Sequence, residues 1–224
     1  MNESAAREEI CRVGRSLFER GYVHATAGNI SAQLADGGYL ITPTDACLGF
    51  LDPARLARLD PQGHQIGGDR ASKTIALHRR IYAATAATGA PAHCVIHTHS
   101  THCVALTLEP EREGNGELLP ALTPYFVMKV GHVPLIDYTR PGDALAAERV
   151  EAAIARYANA GTPIRAVMLE RLGPNVWHDT PAAAMATLEE LEETARLWLL
   201  NGRRAAPLDA AAIASLRETF GAHF

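Results

Sequence analysis

Apolar residues recur near the start of the chain at Ile10, Val13, Leu17 and Phe18. This is the rhythm that leaves one face of a helix apolar. It predicts a helix over Ala5 to Arg20, stopped at Gly21. The period then shortens. "GNISAQL" and "GYLITPT" alternate apolar and polar positions and are joined by Ala35-Asp36-Gly37-Gly38, the pattern of a hairpin. "RLARLDPQGHQIGG" reads as a further extended segment broken by a Pro/Gly turn. Ser72 stands where it can cap a helix carrying Ile75, Leu77, Ile81 and Tyr82. "HCVIHTH" reads as a buried strand, with Ser100 as cap of the next helix. "AVMLERLGPNVW" reads as one more strand. Pro181 suits the first turn of a long helix, "PAAAMATLEELEETARLWLL", and a last helix covers roughly Asp209 to Phe220. Strands and helices mix without a regular β-α-β rhythm. The expected fold is therefore a single three-layer α/β/α domain over residues 1–224, with a mainly antiparallel sheet.

Composition changes this picture little. A length of 224 residues suits one domain with a substantial core. The formal net charge of −4 gives no reason to expect a nucleic-acid partner. No run approaches the roughly 20 apolar residues of a membrane span, and the charged residues after Met1 do not resemble a secretory leader. Cys11, Cys47, Cys94 and Cys103 are scattered without a C-x-x-C pair. Scattered cysteines suit reduced thiols, so the expected location is the cytoplasm.

The chemistry is concentrated in "VIHTHSTH" (Val95 to His102). Residues i and i+2 of a strand face one side, so His97 and His99 are expected to point together. Such a pair can offer two nitrogens to one ion at roughly 2.0–2.1 Å. The competing reading is a polar patch at a strand end. His102 lies beyond the strand and is expected to pack or hydrogen-bond as readily as to bind metal.

"TAGNIS" (Thr26 to Ser31), "TPT" (Thr42 to Thr44), the Ser72 helix start with His78, and "HTHSTH" follow one another in an order that resembles the class II aldolase/adducin superfamily. "SLFERGY", "CLGFLDPARLARLD", "TPYFVMKVGHVPL", "RPGD" and "LEELEETARL" narrow the resemblance to the 3-oxo-tetronate 4-phosphate decarboxylase branch, over nearly the whole chain. The resemblance implies a class II aldolase-like fold, with a central sheet flanked by helices. It also implies a cyclic homotetramer with active sites between subunits, and a divalent metal, usually zinc, on His97 and His99. The sequence departs from the family at two places. The third metal-binding histidine is replaced by Leu172, and the catalytic acid, four residues before His78, by Thr74. Glu170 is the nearest substitute for the lost histidine, sharing a face with Leu172 if the strand is regular. A solvated or ion-paired carboxylate is the competing reading.

The resemblance places a substrate phosphate among Gly28, Asn29, Thr44, the main chain at Asp45, and Ser72. These residues offer close backbone approach, a side-chain donor, hydroxyls and free N–H groups. Asp45 stands where the aldolases have glycine. Lys73 opposes the helix dipole, a conflict that an anionic ligand would relieve, and the decarboxylase branch resembles this chain in having lysine there. Tyr125 matches a tyrosine that reaches a neighbouring subunit's site and donates a proton. The expected reaction is metal-dependent loss of CO2 from a four-carbon 3-oxo acid phosphate. No base has to take a proton from carbon in that reaction, so loss of the acid at Thr74 harms it less than aldol chemistry. A sugar-phosphate aldolase or epimerase, and a non-catalytic adducin-like binding module, are the alternatives.

Overall fold

The computed structural model describes residues 2–108 and 116–224. The chain divides into two compact units. One takes the chain up to His99 together with Trp177–Met185, and the other takes Ser100–Val176 together with Ala186–Phe224.

The first unit opens with α1, Glu3–Glu19, whose N-cap Asn2 accepts the Ala5 N–H. Ile10, Val13 and Leu17 on its apolar face are fully buried. Four short strands follow: β1 (Asn29–Gln33), β2 (Tyr39–Ile41), β3 (Ala57–Leu59) and β4 (Gln65–Gly67). After α2 (Ile75–Ala87) comes β5, Cys94–His97. Within this unit the strand order is β4-β3-β2-β1-β5, every pairing antiparallel. The "ADGG" hairpin forms as its pattern predicts. Leu34 N–H donates to the Gly38 carbonyl, and Gly38 N–H donates to the Asp36 carboxylate.

The structure departs from the sequence pattern at two places in this unit. The N-cap of α2 is Thr74, not Ser72, and neither hydroxyl caps a backbone N–H there; the two hydroxyls bond each other at 2.9 Å. The strand carrying the histidine pair ends at His97, so alternation along a strand does not by itself place His99.

The second unit holds α3 (Thr101–Leu106), α4 (Pro124–Lys129), β6 (Leu135–Ile136), α5 (Ala144–Asn159), β7 (Ala166–Leu169), β8 (Gly173–His178), α6 (Pro181–Leu200) and α7 (Ala210–Phe220). The first unit takes the end of β8 and the start of α6. β7 pairs antiparallel with β8 and parallel with β6. "AVMLERLGPNVW" is thus two strands rather than one. Glu170–Leu172 form the turn between them, with Arg171 at φ 62°. α5 goes unread in the sequence because only a narrow stripe of it (Val150, Ala153, Ile154) is buried.

Ser100 occupies the N-cap position of α3, but its hydroxyl makes no capping bond. The cap comes from α6. The Glu192 carboxylate, 2% exposed, accepts the His102 N–H at 2.9 Å and the Cys103 N–H at 3.0 Å. A carboxylate can only accept, so the 2.8 Å contact to His102 Nδ1 fixes that nitrogen as protonated. His102 is therefore held by Glu192. A charged acceptor replaced by an amide loses strength at each of these bonds. Glu192→Gln is expected to lower stability by about 1.5–3 kcal/mol, read from the shift of the urea unfolding midpoint. An unchanged midpoint would show that α3 does not depend on this carboxylate.

Candidate active site

The first unit gathers its chemistry on one face of β1 and β5. Asn29 is paired with His97 and Ser31 with Val95, so these side chains share a face. Gly28 is what allows the approach. Its φ is +84°, and a Cβ there would stand 2.8 Å from the His97 carbonyl oxygen. Any side chain would collide with the backbone that carries the histidine pair.

Thr42 ties this strand to the second loop. Its hydroxyl accepts the Ile30 N–H, its N–H donates to the Ile30 carbonyl, and its own carbonyl accepts the Ser72 N–H. Pro43 bridges to Ala71, and Thr44 N–H donates to the Arg70 carbonyl. Thr44 and Ser72, 28 positions apart in sequence, are thereby held on neighbouring segments. Asp45 is exposed, with φ 56°. That left-handed position is one glycine fills without strain and aspartate tolerates. Lys73 is exposed in the turn before α2, with no ion pair among the described residues.

The His97 and His99 rings lie 5.1 Å apart, centroid to centroid. His97 is buried and His99 half-buried. Burial holds His99 below the usual imidazole range, and the neighbouring His24 adds to the effect. The His24 ring lies 6.4 Å from that of His99. A neutral imidazole offers a lone pair, so the donor chemistry suits a divalent cation. Among the described residues no three His, Cys, Asp or Glu side chains come together as a metal-ion cluster.

His78 faces the same site from α2. It is fully buried, and its pKa is pushed down to about 3, first by burial and then by His97. Its Nδ1 lies 2.7 Å from Ser31 Oγ, which lies 2.6 Å from the Tyr82 hydroxyl. Sequence reading uses His78 only as a landmark and passes over Ser31, Tyr82 and His24. The signal for His78 was its spacing. His78, Ile81 and Tyr82 lie on one face of a helix, although polar residues on an otherwise apolar stripe read first as packing.

The remaining candidates lie in the second unit. Tyr125 is 62% exposed, in the first turn of α4. The Glu170 carboxylate accepts the Tyr138 N–H at 2.8 Å, and Arg171 approaches it at 4.0 Å. The turn removes the regular strand on which Glu170 and Leu172 would have shared a face.

A family model described as "Class II Aldolase and Adducin N-terminal domain" matches residues 8–199 and so runs through both units. The 3-oxo-tetronate 4-phosphate decarboxylase of Cupriavidus necator is 51% identical over 228 residues, covering 99% of each chain. That of Escherichia coli O6:H1 is 39% identical over 216 residues, 96% of each chain. The crystal structure of YgbL from Escherichia coli superimposes with a TM-score of 0.85 at 37% identity. It covers 96% of this chain and 99% of its own.

Gly28→Ala should reveal how tightly this face is built. A left-handed alanine against a carbonyl is expected to cost about 1–3 kcal/mol, measured by thermal or urea unfolding. Wild-type stability in that variant would show that the His97 backbone gives way freely.

Proposed function

The chain belongs to the class II aldolase and adducin family, and from that premise we propose that it decarboxylates 3-oxo-tetronate 4-phosphate to a triose phosphate, dihydroxyacetone phosphate, and CO2. It is thus a carbon–carbon lyase on a class II aldolase-like α/β fold. The observation that carries the reading is the start of α2. No carboxylate stands at position 74, and the Thr74 hydroxyl is bonded to Ser72. A threonine there cannot serve as a carboxylate base. Loss of CO2 from a 3-oxo acid needs none, because the breaking carbon–carbon bond itself supplies the electron pair.

Family members are generally dependent on a divalent metal. Here His97 and His99 would hold the ion, zinc in our reading, and the ion would supply Lewis-acid stabilisation of developing negative charge. The protein's own groups do the rest. Gly28, Asn29, Thr44, the Asp45 main chain and Ser72 bind the phosphate. Lys73, at the mouth of α2, adds a positive charge for the two anionic ends of the substrate and orients its carboxylate. Tyr125 gives a proton to the carbon that CO2 has left. Its exposure on α4 suits a hydroxyl offered to a neighbouring subunit, so the working form in this reading is a homotetramer with shared sites. The whole chain acts as one catalytic domain. All four cysteines are free thiols, in keeping with a cytoplasmic enzyme.

Three measurements test this reading. Metal content, determined on protein prepared without an affinity tag, is expected to fall at least about tenfold in both His97→Ala and His99→Ala, with circular dichroism unchanged. Full stoichiometry in both variants would remove the site assignment. Wild-type protein should release CO2 from 3-oxo-tetronate 4-phosphate and leave fuculose 1-phosphate uncleaved. Lys73→Met should lower kcat/KM by roughly ten- to a thousandfold, or about 1.4–4 kcal/mol. Aldol cleavage without CO2 release would favour the aldolase, and no turnover of either substrate a binding module.

A further inference from the structure

The hydrogen bonds beneath β1 leave one proton unspent. Tyr82, Ser31 and His78 form a buried line of three polar groups, with contacts of 2.6 and 2.7 Å. Every hydroxyl proton finds an acceptor only if Tyr82 donates to Ser31 and Ser31 donates to His78 Nδ1. In the reverse order the Tyr82 proton would have no acceptor in the line. In the first order Nδ1 of His78 is the acceptor, and the ring proton sits on Nε2.

Nε2 is fully buried and has no hydrogen-bond partner among the described residues. A buried donor left unmatched costs roughly 1–3 kcal/mol. A second atom of opposite character lies on the same face. Asn29, 6% exposed, has a buried Oδ1 without a partner and sits across from His97 in the strand register. An N–H without an acceptor and a carbonyl without a donor, both beside His97, mark a place built for an oxygen-bearing ligand.

We propose that the Nε2–H of His78 is a substrate-facing hydrogen-bond donor, aimed at the ketone oxygen that takes up negative charge as CO2 leaves. The inference rests on the decarboxylase reading. In the step, the bond between the carboxyl carbon and its neighbour breaks. Its electron pair forms the carbon–carbon double bond of an enolate, and the carbonyl π pair moves onto oxygen. The carboxylate departs as CO2, and the carbon later takes a proton. A neutral N–H fixed in place beforehand strengthens its bond as that oxygen becomes anionic. The Ser31–Tyr82 line fixes the tautomer. Asn29 Oδ1 would accept from the adjacent substrate hydroxyl.

Protein labelled with 15N-histidine gives the first test. The His78 ring is expected to show a protonated Nε2 and an unprotonated Nδ1. Its Nε2 signal should move when the 3-hydroxy analogue of the substrate, a 4-phosphotetronate that cannot lose CO2, is added to saturation. Kinetics give the second test. His78→Leu should lower kcat by about 10²–10³-fold with a much smaller change in KM. His78→Gln, which keeps an N–H at similar reach, should regain about tenfold of that loss. A proton on Nδ1 would overturn the proposal. So would an Nε2 signal that stays put while the 31P signal of the analogue reports saturation, or full kcat in a folded His78→Leu variant. If that variant does not fold, the tautomer and its response to the analogue decide. If wild-type protein releases no CO2, the decarboxylase reading fails, while the resonance still reports whether His78 faces the ligand.

Discussion

The candidate site depends on one strand pairing. β1 and β5 run antiparallel with Asn29 opposite His97, and every other part of the site takes its place from that register. Gly28 lies against the His97 carbonyl, so the loop before β1 and the end of β5 cannot move independently. Thr42 continues the connection. Its hydrogen bonds to Ile30 and Ser72 join the loops that carry Thr44 and Ser72 to the same strand. A one-residue slip of this pair would turn Asn29 and Ser31 to the opposite face. It would separate Asn29 from His97 and Ser31 from His78.

Polar groups on that face are buried at a cost. Ser31, His78 and Thr42 are at most 1% exposed, and Asn29 is 6% exposed. Most of their hydrogen-bonding capacity is met internally, which also makes the face rigid. The imidazoles crowd one another as well. His78 is held neutral by burial and by His97, and His99 is pushed the same way by burial and by His24. A neutral imidazole at His99 keeps a lone pair available for a cation and avoids placing positive charges side by side. The same environment would be a poor choice for a purely structural core, where aliphatic side chains fill space without desolvation penalties.

The residues missing from the family pattern fit this arrangement. Thr74 satisfies Ser72, and the turn at Glu170–Leu172 directs the Glu170 carboxylate to the Tyr138 amide. Neither position supplies a free base. A reaction whose electrons come from a departing carboxylate has less need of one, and a set of neutral donors and positive charge is the machinery such a reaction uses.

The sequence by itself determined the local elements and the kinds of chemistry present. The spacing of Ile10, Val13 and Leu17 is sufficient for α1, the "ADGG" turn for the first hairpin, and Pro181 for the start of α6, because each rests on contacts within a few residues. His97 and His99 stand out in the sequence as a pair, but the strand ends at His97, so alternation alone did not decide how the two rings face. What only the tertiary structure decided involves partners distant in the chain. Glu192, not Ser100, caps α3 from 90 positions away. Ser31 finds His78 across 47 positions, a contact that no local pattern announces. The hairpin at Glu170–Leu172 was hidden because an apolar run reads as one strand until a left-handed residue such as Arg171 breaks it. Periodicity records which side of an element is buried. It does not record what that side meets, and buried polar groups are defined by what they meet.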